Sequence, residues 1–154
     1  MAQLSYDFNI KQAVQGMLAD STPNVVDSYA AEGNIDFGLA LVYGTDAAKQ
    51  VKIPVASAAF VGASVYDMVH EQDDAGNAYY RDTQTVSVLR RGRIYVPTTV
   101  AVAAGEAAYF IHTGGDEGKF RNDADTGNAD LVPTGVFRSN TNPEGLAILE
   151  INLP

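Results

Sequence analysis

Ile35-Asp36-Phe37-Gly38-Leu39-Ala40-Leu41-Val42-Tyr43 sets a large apolar side chain at every second position, the pattern of a strand with one face turned to a core. Ile35, Phe37, Leu39, Leu41 and Tyr43 define that inward face. The same period recurs downstream and predicts strands over 51–56, 59–69, 78–89, 93–96, 98–103, 107–112, 131–138 and 146–153, so about nine in all. Asp73-Asp74-Ala75-Gly76-Asn77 is expected to close a hairpin, Arg91-Gly92 a second and Ala104-Gly105-Glu106 a third. Many short strands without a long amphipathic helix predict an all-β fold, a small antiparallel β-barrel or jelly-roll-like sandwich occupying 35–154.

Residues 1–34 read differently, as an extended N-terminal arm. Leu4, Tyr6, Phe8, Ile10, Val14, Met17, Leu18, Val25 and Val26 supply apolar surface, while Gly16, Pro23 and Gly33 interrupt any single helix. The helix-like spacing of Ile10, Val14, Met17 and Leu18 covers barely two turns, and so short a helix is marginal in water. The arm therefore needs another surface, and Tyr6, Phe8, Ile10, Val14, Met17 and Leu18 are its candidate partner-contact residues.

With 154 residues and no cysteine, the chain has one core's worth of sequence and neither disulfides nor thiolate chemistry. A net charge of −9 argues against non-specific nucleic-acid binding. No apolar run approaches the roughly 20 residues of a membrane helix, and the first residues lack a secretory pattern, so neither a membrane nor export is expected. Charge is uneven: Asp7, Asp20, Asp27, Glu32, Asp36 and Asp46 stand against Lys11 in residues 1–48, whereas Arg81, Arg90, Arg91 and Arg93 cluster in 81–93. Arg90, Arg91 and Arg93, read as a basic turn, suit carboxylates on a protein partner.

Catalytic chemistry finds little support. His70 and His112 lack a partner histidine at metal-binding spacing, and no Gly-x-Ser-x-Gly elbow is present. Asp116, Glu117, Asp123, Asp125 and Asp130 crowd a polar loop, 114–130, expected at the surface. Within it, the glycine of Asp123-Ala124-Asp125-Thr126-Gly127 comes one place too early for a calcium loop, and no glutamate closes it. Tyr66, Tyr79, Tyr80, Tyr95 and Tyr109 suit half-buried strand positions better than a sugar platform, given the absence of tryptophan. Neither an enzyme nor a cofactor or metal is expected.

Several segments together resemble the structural cement, or head decoration, proteins of tailed bacteriophages. They are Tyr6 and Phe8, then Gly16-Met17-Leu18-Ala19-Asp20-Ser21, Val26-x-Ser28-Tyr29-x-Ala31-Glu32 and Ile35-Asp36-Phe37-Gly38-x-Ala40. Ala59-Phe60-Val61-Gly62, the Gly-x-Ile-x-Val of 92–96, the turn and aromatic strand of 105–110 and the closing strand of 145–152 continue the likeness. Asp36 departs from it, standing where proline is expected. The resemblance implies a non-enzymatic protein on the outer surface of the virion capsid. Its implied role is to clamp neighbouring major capsid proteins and to associate with itself as a homodimer or trimer. A virion-surface module binding a host or a carbohydrate is the alternative, and a barrel hydrolase using the acidic cluster has least support.

Overall fold

The computed structural model describes residues 12–68 and 72–154. Nine strands carry the fold: β1 (Val25–Ala31), β2 (Ala40–Tyr43), β3 (Gln50–Lys52), β4 (Phe60–Ser64), β5 (Thr85–Pro97), β6 (Ala107–Ile111), β7 (Phe120–Arg121), β8 (Ala129–Phe137) and β9 (Leu146–Asn152). A short 3₁₀ turn, Asp125–Gly127, is the only helical element among the described residues.

Hydrogen bonding links the strands in the order β1-β3-β2-β4-β5-β9-β8-β6-β7, and β1 also pairs with β5. The first five strands therefore close into a barrel, and the last four extend from it as a sheet that shares β5. All pairings but one are antiparallel; β1 and β3 run parallel, with Ala30 opposite Gln50. β5 is the common member. Its first half faces β1 from Thr85 to Arg91, and its second half faces β9 from Arg91 to Pro97.

Two cores result. Ile35, Phe37, Leu41, Val51, Val61, Tyr80, Val86 and Val88 fill the barrel. Val42, Phe60, Leu89, Ile94, Val96, Phe110, Phe120, Phe137, Leu149 and Ile151 fill the space between the barrel wall and the extending sheet. β2 and β4 separate them: Leu41 and Val61 point into the barrel while Ala40, Val42, Phe60 and Ala63 point into the second core. This explains why Phe60-Val61-Gly62-Ala63-Ser64 is buried at every position and carries no polar alternation.

Four sequence expectations change. The strand expected over 35–43 is broken by a turn at Phe37-Gly38, and regular pairing starts only at Ala40. The arm of 1–34 contains the first strand of the barrel, β1, so its second half is part of the domain body. Residues 98–103 make no strand. The loop of 114–130 contains β7, whose Phe120 is fully buried, because a single aromatic is enough to pin a polar stretch to a core. The hairpin at 73–77 is as expected: Gln72 bridges Ala78, and Asp73 Oδ1 accepts the N–H groups of Ala75 and Asn77 at 3.0 and 2.8 Å.

Candidate functional site

Glycine at 16 and at 38 lets two backbone segments touch. Both residues have positive φ, and a Cβ on either would lie 2.7 Å from the other's amide nitrogen. Around this contact Gln15 Nε2 donates to Phe37 O at 2.7 Å, Tyr66 N donates to Gly16 O at 2.7 Å, and Gly16 N donates to Tyr95 O at 2.8 Å. Leu18 then bridges Ile94, and Ala19 N donates to Arg93 O at 2.9 Å. Residues 17–19 thus run antiparallel beside the second half of β5, as β1 does beside the first half. Residues 20–24 connect the two segments, with Asn24 Oδ1 lying over Gly92.

Part of the arm's apolar surface is consequently satisfied within its own chain. Leu18 packs against the larger core and Ala13 is buried, whereas Met17 is half-buried and Val14 remains 41% exposed. Tyr6, Phe8 and Ile10 lie outside the described residues, as does His70. Val25 and Val26, not singled out as contact residues by the sequence, are 44% and 43% exposed at the start of β1.

Arg90, Arg91 and Arg93 do not form a turn. They lie inside β5, whose continuous pairing with β9 runs straight through Gly92. Glycine is needed there both because its φ is 138° and because a Cβ would collide with Asn24 Oδ1, which sits directly over it. With alternate residues of a strand sharing a face, Arg90 points opposite to Arg91 and Arg93. Arg90 reaches Asp27 at 3.7 Å and the Tyr29 hydroxyl at 3.4 Å. Arg93 contacts Glu150 at 2.7 Å and Asp20 at 3.6 Å, and Arg138 holds the other Glu150 oxygen at 2.8 Å. The two guanidinium groups, Arg138 foremost and then Arg93, pull the Glu150 pKa down to about 2. Arg91, in contrast, is exposed and makes no ion pair among the described residues.

The remaining candidates serve packing or turns. Tyr80 is fully buried with its hydroxyl donating to Val65 O at 2.7 Å, and Tyr66 meets Phe37 edge-to-face with ring centroids 5.1 Å apart. His112 is buried beside Asp130, at 3.7 Å. In the acidic loop, Arg121 bonds Asp123 and Asp125, and Lys119 bonds Asp116 at 2.7 Å. Those carboxylates are thus neutralised by the chain's own cations, and no group of acids and histidines among the described residues is arranged to hold a metal. No described helix is long and apolar enough to cross a membrane. Ser64, unremarkable in sequence, donates to Asp36 O at 2.7 Å and accepts from Leu39 N at 3.0 Å, fixing the turn that carries Gly38. What the geometry offers is a set of surfaces built from the strands and the docked residues 16–19.

Comparison with known proteins agrees with that reading. Residues 2–152 match the family model described as structural cement protein (E217 gp24/Pam3 gp6). A chain from a solved structure titled "The capsid of Myoviridae Phage XM1" superposes with a TM-score of 0.73 over 97% of this chain and 98% of that one, at 16% identity. At that identity the likeness is one of fold. No curated protein matches this chain.

Proposed function

We propose, from the premise that this chain belongs to the structural cement protein family, that it decorates the outer surface of a phage head and stabilises the shell by clamping neighbouring major capsid proteins. The observation that carries this reading is the family match, which spans residues 2–152 and so includes arm and barrel alike. The protein is a component of the virion capsid.

Physical features support a binding role without catalysis. Gly16, Leu18 and Ala19 anchor residues 16–19 on β5, and Tyr6, Phe8 and Ile10 precede that anchor in the sequence. Attachment to a capsid through apolar side chains on such a segment spreads contact over more than one neighbour. Arg91 is the one arginine of β5 left for an external carboxylate. Partner contacts of the chain are thus assigned to Tyr6, Phe8, Ile10, Val14, Met17 and Arg91. Leu18, Arg90 and Arg93 have a structural role.

Deletion of residues 2–11 tests the assignment, since it spares the docked residues 13–19. Co-sedimentation with capsids lacking the protein should show at least tenfold weaker attachment, with the thermal melting of the free protein unchanged. Undiminished attachment refutes the arm's part in binding.

A further inference from the structure

Ile35 and Tyr80 are both fully buried and exchange two backbone hydrogen bonds of 2.8 Å, so their neighbours Asn34, Asp36 and Tyr79 fall on the outward side. Asp36, Tyr79 and Gln15 line two adjoining hollows of about 520 and 790 Å³, which together make one groove. Each volume is typical of a small-ligand site. One wall is the loop carrying Glu117, and the other is the hairpin of 73–77 with Tyr66 beside it.

The walls are held by the fold. Ala40 N donates to Gly118 O at 2.8 Å and Gly118 N to Ile111 O at 2.9 Å, which ties the first wall to β2 and β6. Asp73 closes the second through its turn, and the floor is fixed by the bond from Gln15 to Phe37 O. Little ordering is therefore left for a ligand to bring about.

The polar groups of the groove are mixed in sense. Gln15 uses Nε2 on Phe37 O and keeps Oε1 to accept, whereas Asn34 uses Oδ1 on Asp82 N at 3.1 Å and keeps its NH₂ group to donate. The Asp36 carboxylate and the Tyr79 hydroxyl have no hydrogen-bond partner among the described residues. A sugar hydroxyl both donates and accepts, so it suits this set; an ammonium or guanidinium group only donates and has no use for Asn34. The sequence suits Tyr66 and Tyr79 to strand positions, yet neither belongs to the nine strands. Tyr66, 37% exposed, and Tyr79, half-buried, instead give the groove aromatic surface for the C–H face of a pyranose ring. Asp36, Asp73, Asp116 and Glu117 against Lys119 make the groove repel anions, so the fitting ligand is uncharged. Asp36 is also the position at which this chain departs from the cement-protein pattern, where proline would supply no carboxylate.

We propose that the groove centred on Asp36 and Tyr79 binds a neutral saccharide, which gives a capsid component an affinity for hydroxyl-rich polymers in addition to its place in the shell. Of the described residues assigned to partner contact, Val14 alone borders the groove, so the two roles are separable by mutation. Copies displayed together on one head strengthen a weak single-site affinity through avidity.

A glycan array of neutral hexose and N-acetylhexosamine oligosaccharides, with sialylated and sulfated ones included, tests it on the full chain. The best neutral binder is then titrated by calorimetry against the native protein, Asp36→Ala and Tyr79→Ala. At least one neutral glycan should bind, ahead of every acidic one, and each substitution should weaken it by about tenfold or more, the loss of a hydrogen bond to a charged or buried partner. Asp36 is exposed, so Asp36→Ala should melt as the native protein does and carries the test if Tyr79→Ala fails to fold. An array without a neutral binder, a preference for acidic glycans, or an affinity untouched by Asp36→Ala overturns the proposal. Tighter binding of tetralysine than of any glycan also overturns it and assigns the groove to a basic peptide. Co-sedimentation of Asp36→Ala with capsids should match that of the native chain; lost attachment would make the groove a capsid contact and overturn the saccharide assignment, whereas the deletion of residues 2–11 bears on the arm alone.

Discussion

Replacing Glu150 by glutamine should make the protein's stability less dependent on pH over one defined window. Glu150 on β9 lies between Arg93 and Arg138, with contacts of 2.7 and 2.8 Å, and its pKa falls from 4.5 to about 2. A carboxylate with a depressed folded-state pKa contributes stability that is fully present above the unfolded pKa and is lost as pH falls toward the folded one. The window therefore runs from about pH 5 to about pH 2. The undiscounted shift corresponds to about 3 kcal/mol. Both guanidinium groups are nearly half exposed, at 44% and 45%, so solvent screening reduces the effect to about 1 kcal/mol. Urea unfolding of the native chain and Glu150→Gln at pH 7, 5, 4 and 3 should show a gap of about 1 kcal/mol that closes across the acidic series. In 1 M salt at pH 7 the gap should also shrink. A gap that is absent at pH 7, or that persists undiminished at pH 3, refutes the assignment of these arginines as the cause.

Gly38→Ala should cost about 2–4 kcal/mol, from positive φ together with a Cβ pressed on the Gly16 backbone, and hydrogen exchange should show residues 13–19 opening first; unchanged protection there counts against the contact. Phe120→Ala should cost about 3–5 kcal/mol in urea unfolding despite lying in a glycine- and aspartate-rich stretch, and a loss below 1 kcal/mol would mean the loop is not pinned to the core.

Alternation made most of the all-β fold legible, and the exceptions have physical causes. Leu146-Ala147-Ile148-Leu149-Glu150-Ile151 reads as a strand because Ala147, Leu149 and Ile151 face one core. Val25-Val26-Asp27-Ser28-Tyr29 does not, since both valines are exposed and the polar–apolar contrast is lost. Gly92 looks like a turn, whereas its positive φ of 138° and the close approach of Asn24, 68 positions earlier, occur inside one continuous strand. No local pattern reveals that. The family resemblance was readable from segments such as Gly16-Met17-Leu18-Ala19-Asp20, and Gly16 turns out to be held there by its contact with Gly38. The direction of the arginine side chains was hidden, because it depends on β5 being one strand of 13 residues.

That single long strand also governs the order in which the chain can fold. β1, β4 and β9 all take β5 as a neighbour, and residues 17–19 dock beside it too. During synthesis the first 84 residues emerge without the strand that closes their barrel. β5 in turn waits about fifty residues more for β9. Loop closures of that length must precede the contacts that reward them, which places this chain among slowly folding β-topologies. Until β5 arrives, the arm and β1 are exposed to neighbouring nascent chains, so translation rate, set by the host, becomes one of the quantities on which correct assembly depends.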